Sequence, residues 1–214
     1  MNAPFDSLVP DARLFLSELK QNNNRDWFLA HKTDYDARLK APALALLDTL
    51  SAFLEKQTGT TPQTKLFRPN RDIRFSKDKT PYHTHLHMLW NTPPVGWFLG
   101  IAPDYVSIGA GVMGFDKGTL SNWRNAVDGP KGIEISSLLD TLSRKGARFS
   151  EPELKRVPPP FDKAHAHGDL LRHKSLTVWF DLSEADVKKG GLTQQIEAAF
   201  SEMLPLGKML QSLL

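Results

Sequence analysis

The hydrophobic period along this chain is helical at both ends and two-residue in the middle, and that ordering limits the fold more than any other feature. Near the N-terminus Phe15, Leu16 and Leu19 share one face of a helix expected over Asp11–Gln21, with Asp11 as its cap. Asn22-Asn23-Asn24 interrupts it, and Asn24 caps a second helix expected to reach Leu39, with Trp27, His31 and Tyr35 four apart on one face. Pro42 suits a helix start, and Leu44, Leu47, Leu50, Phe53 and Leu54 form a helical stripe that ends before Gly59. The period then switches. Tyr82, Thr84, Leu86, Met88 and Trp90 alternate with His83, His85, His87 and Leu89, which is the behaviour of a strand with two distinct faces.

Gly96–Ala102 and Tyr105–Met113 read as two further strands, joined through Pro103-Asp104 as an antiparallel hairpin. Leu120–Val127 and Ile133–Arg144 read as helices, and Glu151–Gly168 as a Pro-rich loop. Ser175–Asp181 reads as a strand, and Leu192–Leu204 as a terminal helix that Pro205 bends or ends. Together these elements predict a single α+β domain over 1–214, a mostly antiparallel sheet flanked by N-terminal and C-terminal helices.

Composition removes several function classes. The chain has no cysteine, so disulfides, thiol catalysis and cysteine-ligated metals or clusters are excluded. Met1–Pro10 has no basic start and no apolar stretch, so no secretory signal is expected. No uncharged run reaches the ~20 apolar residues of a membrane span. The cytoplasm is the expected compartment, and no membrane partner is expected.

The net charge of +3 conceals a local surplus. Between Lys65 and Tyr82 stand six basic residues and two acidic ones, a net +4 that leaves −1 for the rest of the chain. A general nucleic-acid binder spreads its basic residues over a face or a tail. A compact basic loop suits a small anionic ligand, an internal ion-pair network or a narrow nucleic-acid contact.

Within that loop Arg68, Arg71 and Arg74 recur every three residues. Guanidinium forks take carboxylate or phosphate in bidentate fashion, and lysines add point charges. Arg68, Arg71, Arg74, Ser76 and Lys77 are therefore the candidate ligand-binding residues. Asp72, Lys77, Asp78, Lys79 and Tyr82 are the candidate catalytic residues: carboxylates to move a proton, lysines to stabilise developing charge, and a phenol at the strand start. Arg25, Asp26 and Trp27 are expected to support the loop, with Asp26 as the partner of Arg71 or Arg74. The competing structural reading has these charges pair with one another and fix the loop in place.

The two blocks Asn22-Asn23-Asn24-Arg25-Asp26-Trp27-Phe28 and Arg71-Asp72-Ile73-Arg74-Phe75-Ser76-Lys77-Asp78-Lys79-Thr80-Pro81-Tyr82, in this order, resemble a widespread conserved-hypothetical family of bacteria and fungi, a domain of unknown function. Gly109-Ala110-Gly111, Leu170-Leu171-Arg172 and Lys174-Ser175 extend the resemblance from about Leu14 to Leu210. It implies a single α+β domain and carries over neither activity nor cofactor. The chain departs from the family at His83, where lysine is usual after the Pro-Tyr pair.

His83, His85 and His87 lie two apart and share one strand face. Same-face neighbours on a strand sit roughly 6.6 Å apart, too far for three imidazoles to converge on one ion without a bulge. No metal and no cofactor are assigned, and a solvated face is the expected role of the row. His165, His167 and His173 carry a weaker signal still. Gly109-Ala110-Gly111-Val112-Met113-Gly114 matches a dinucleotide fingerprint in letters, but the strand runs on through it, so close strand packing is the expected role of its glycines. Trp90, Trp97, Trp123 and Trp179 read as packing residues. A nucleophile elbow, a P-loop and a His-Glu-x-x-His helix are all absent from the sequence.

The leading functional expectation is an anion-binding domain for a phosphate- or carboxylate-bearing small ligand, extending to an enzyme on a small metabolite. The runner-up is a nucleic-acid or protein interaction module, and the third reading is a purely structural ion-pair clamp. The residues name neither a reaction nor an oligomeric state.

Overall fold

The computed structural model describes residues 5–213, so the stretch Met1–Pro10 read for a leader lies partly outside the described residues. The chain runs α1 (Leu8–Gln21), α2 (Arg25–Ala30), α3 (Lys32–Asp34), a π-helical turn (Tyr35–Lys40) and α4 (Ala41–Thr58). Strands β1 (Gln63–Leu66), β2 (Leu86–Thr92), β3 (Val95–Ala102) and β4 (Tyr105–Val112) follow, then α5 (Lys117–Asp128) and α6 (Lys131–Arg144). The chain closes with β5 (Arg148–Phe149), α7 (Gly168–Leu171), β6 (Leu176–Asp181), α8 (Glu184–Lys189) and α9 (Leu192–Leu213). The antiparallel sheet has the order β1-β2-β3-β4-β6-β5, and helices stand at both ends of the chain, an α+β architecture.

The chain divides into two compact units. One takes the described residues up to Trp90, with Phe98–Ile108 and Asp181–Ala198. In it α1 buries Leu8, Ala12, Phe15, Leu16 and Leu19, the three-and-four spacing of a helix face. α4 buries Leu46, Leu47, Leu50 and Leu54 and ends where Gly59 turns left-handed at φ 72°, its N–H donating to the Glu55 carbonyl at 2.8 Å. Trp90 is fully buried, and its indole N–H donates to the Leu47 carbonyl at 2.8 Å, so the polar edge of a core ring is satisfied.

The second expected helix does not run unbroken to Leu39. Asn24 caps it as expected, accepting from the N–H of Trp27 at 2.9 Å. α2 ends at His31, where the backbone leaves helical geometry at φ −106° and ψ 11°; the Trp27 carbonyl there accepts both the His31 backbone N–H at 3.1 Å and its ring Nδ1–H at 2.7 Å. The chain resumes as a short turn and widens into the π-helical turn, which keeps Tyr35 and Leu39 buried. The strand expected from Tyr82 also starts late, at Leu86. Tyr82 forms only an isolated bridge with Asn70, and the backbone bends at Thr84–His85.

The other unit takes Asn91–Trp97, Gly109–Phe180 and the described residues from Ala199 onward. Trp97, Trp123 and Phe200 are its largest fully buried side chains. The indoles of Trp97 and Trp123 donate to Thr92 Oγ1 at 2.9 Å and to the Leu170 carbonyl at 3.0 Å. Gly109 and Gly111 lie inside β4, as close packing required. A Cβ on Gly109 would stand 2.4 Å from the Trp179 ring, and one on Gly111, at φ 139°, would stand 2.1 Å from the Leu176 carbonyl oxygen. α9 continues through Pro205 to Leu213, against the expected bend or stop. An interior proline costs about 3 kcal/mol. Burial of Phe200, Met203, Leu206 and Leu210 on a continuing apolar face offsets that cost.

Candidate functional site

The basic loop is closed at its neck by backbone pairing. Phe67 N–H donates to the His87 carbonyl at 3.0 Å, Arg71 N–H to the Pro81 carbonyl at 2.8 Å, and His83 N–H to the Pro69 carbonyl at 2.7 Å. Asn23 completes the neck from a helix terminus. Its Nδ2 donates to the Tyr82 carbonyl at 2.9 Å, and its Oδ1 accepts from the Tyr82 N–H at 3.0 Å. The side-chain amide thus pairs with Tyr82 as a neighbouring strand would. The Tyr82 ring stacks on Phe28 with centroids 4.1 Å apart, and the residue is buried. This candidate catalytic phenol belongs to the packing that joins the two sequence blocks.

Inside the loop most charges are already matched. Arg71 donates to Asp78 Oδ2 at 2.5 Å, to the Thr80 carbonyl at 3.0 Å and to the Thr80 hydroxyl. The backbone N–H of Thr80, the Arg71 guanidinium and the Thr80 hydroxyl hold the Asp78 carboxyl down to about 2. Arg74 grips Asp72 with Nε at 3.0 Å and a terminal nitrogen at 2.7 Å. That pairing lowers the Asp72 carboxyl and raises the Arg74 guanidinium. Lys79 donates to the Ile73 carbonyl at 3.0 Å. The carboxylate partners of Arg71 and Arg74 are therefore local to the loop, in place of Asp26. Arg25 and Asp26 sit in the first turn of α2, and Trp27 stacks on His31 at 4.0 Å.

What remains unmatched converges elsewhere. A cleft of about 550 Å³ is lined by Lys65, Arg68, Asn70, Asp72, His83 and His85, with the Leu66–Phe67 backbone segment between them. Among the described residues Lys65 and Arg68 make no ion pair; Lys65 lies over the Phe67 ring at 4.6 Å. A second, more apolar cleft of about 530 Å³ shares Lys65, Phe67 and Arg68 and adds Phe28, Tyr35 and Leu44. Ser76 and Lys77 line neither cleft. Phe75 is 95% exposed.

His83, His85 and His87 form a column of rings, with centroids 4.7 Å apart for the first pair and 3.7 Å for the second. The backbone bends at Thr84–His85, and the rings stand closer than the ~6.6 Å of a flat strand, His83 tilted against His85 and His85 stacked on His87. Among the described residues no cluster of three metal-ligating side chains forms. The deep end of the column is fixed by His87 Nε2 and the Tyr105 hydroxyl at 2.8 Å, with Gly100 leaving room beside both rings. Burial lowers all three imidazoles, His87 to about 4; the neighbouring imidazoles add to the effect at His85 and His87, and the Arg71 charge adds to it at His83. These groups are neutral at pH 7.

Within one basic segment Arg71, Arg74 and Lys79 bond to groups of the loop itself, while Arg68 lines a cleft with Lys65, His83 and His85. Lys65, Asn70, His83 and His85 were outside the expected binding set, and so was the backbone clamp of Asn23. The Asn23 signal was present in an amide beside a helix cap, but its partner lies 59 residues away. No curated protein matches the chain. A family model described as a conserved hypothetical protein, DUF2461, matches residues 11–209, and the chain belongs to that family.

Proposed function

We propose that the chain binds a small phosphate- or carboxylate-bearing ligand in the cleft of Lys65, Arg68, Asn70, His83 and His85. One observation carries this reading: among the described residues Lys65 and Arg68 make no ion pair, and they border a cleft of about 550 Å³ whose one carboxylate, Asp72, is already paired with Arg74, as Asp78 is with Arg71. The volume falls within the ~300–1,000 Å³ of small-molecule sites. Arg68 supplies a two-pronged donor, Lys65 a mobile point charge, and Asn70 a neutral amide. Burial holds the His83 and His85 imidazoles below their ordinary value, and an anion beside them favours their protonated forms, so binding strengthens as pH falls from neutral.

Thermal shift with inorganic phosphate, pyrophosphate and citrate tests this reading. Ligand at about 100 times its Kd adds about 2.7 kcal/mol, roughly 5–10 °C in Tm for a chain of this length. Arg68→Ala should remove most of that shift. No shift with any anion, or an equal shift in Arg68→Ala, contradicts the proposal. The clamp reading retains Arg71 and Arg74, whose pairing with Asp78 and Asp72 supports a loop-shaping role. The interaction-module reading predicts steep salt dependence with oligonucleotides, as phosphate contacts release counterions.

A further inference from the structure

The Pro-rich segment, to which the proposed function assigns nothing, forms a second basic cleft in the other unit. Hydrogen bonds hold the segment in shape. The Glu153 carboxylate accepts the Lys174 N–H at 2.6 Å and the Ser175 hydroxyl at 2.5 Å. Leu154 N–H donates to the Arg172 carbonyl at 3.1 Å, and the Asp162 carboxylate accepts the Ala164 N–H at 2.8 Å. His165 is fixed at both ring nitrogens: Nδ1 accepts the His167 N–H at 3.0 Å, which leaves the proton on Nε2, 3.3 Å from Asp128.

These anchors leave a cleft of about 450 Å³ bordered by Lys155, Arg156, Lys163 and Arg172. Its one carboxylate, Asp169, pairs with Arg172 and is itself 83% exposed. Among the described residues Lys155, Arg156 and Lys163 make no hydrogen bond or ion pair. Four cations therefore face one concavity against a single counter-charge. Their mutual repulsion raises the local potential and concentrates anions there. A monoanion leaves most of that repulsion in place. Linked phosphates match it, since guanidinium forks bind phosphate oxygens in pairs and lysines neutralise the remainder.

We infer that this cleft binds a small ligand carrying two or more linked phosphate groups, with Arg156 and Arg172 donating to phosphate oxygens and Lys155 and Lys163 balancing the charge. The inference stands apart from the first cleft, and its test is run with that cleft disabled. Equilibrium dialysis measures binding of inorganic tripolyphosphate to the full chain carrying Arg68→Ala. One equivalent binds, and adding Arg156→Ala with Lys163→Ala weakens it by about tenfold or more, as expected for losing two charge-assisted contacts. Both side chains are exposed and unpartnered, so circular dichroism and Tm stay unchanged. No binding to the Arg68→Ala chain overturns the inference, as does a triple variant that binds as tightly. Inorganic phosphate binding as well as tripolyphosphate overturns the requirement for linked phosphates. A single-stranded oligonucleotide that displaces tripolyphosphate at lower phosphate concentration assigns the cleft to a nucleic-acid backbone and overturns the small ligand.

Discussion

Imidazoles stacked face to face under partial burial resist protonation, because each added charge loses hydration and meets its neighbour's charge at short range. His87 is the extreme case, at about 4 in the folded chain against 6.5 for an unperturbed histidine. Between those values the unfolded chain binds the extra proton, so stability rises with pH across that window. It is fully present above about pH 7 and lost as pH falls from 6.5 toward 4. Allowing for solvent screening, His87 accounts for about 1–2 kcal/mol of that loss. Urea unfolding at pH 7.5, 6 and 4.5 should show the decline, and His87→Gln should flatten it. The lowered carboxyls of Asp72 and Asp78 act in a separate, more acidic window, below 3.8. An unchanged slope in His87→Gln contradicts the burial account.

At the scale of elements, one side-chain amide between α1 and α2 adds to the backbone pairing at the neck of the basic loop. Asn23→Ala leaves the Tyr82 N–H and carbonyl without this partner in a partly buried setting. The loss is about 1–3 kcal/mol, or roughly 2–10 °C in Tm, with larger amplitude of motion in residues 71–81 by hydrogen exchange. Exchange in that loop no faster than in wild type would show that the Arg71–Asp78 pair alone suffices. Asn23 also marks where the sequence stopped being legible. The helices, the β3–β4 hairpin and the packing role of Gly109 and Gly111 were readable, because period and turn chemistry act over a few residues. The break at His31 and the run of α9 through Pro205 were not, since neither shows in the local period, and a buried apolar face carries α9 onward. The charged loop was legible in composition but not in pairing. Each arginine meets an aspartate of its own loop, Arg74 with Asp72 and Arg71 with Asp78, a choice among nearby charges that spacing alone leaves open.

At the scale of the whole molecule, the small net charge of +3 combines a surplus of +4 between Lys65 and Tyr82, a surplus of +2 between Lys155 and Arg172, and −3 over the remainder. Each surplus borders a cleft, one at Lys65 and Arg68 and one at Lys155, Arg156 and Lys163. Such focusing favours small anions over a long polyanion, which gains from charge spread along its length. The central claim is that Arg68, Lys65, His83 and His85 act together on an anion, and imidazole NMR reads it directly. The titration curves of His83 and His85 are followed with and without saturating pyrophosphate or citrate. Both should move to higher pH with an anion present, while buried His173 stays put, and Arg68→Ala should abolish the change. Identical His83 and His85 curves with and without every anion would contradict the account.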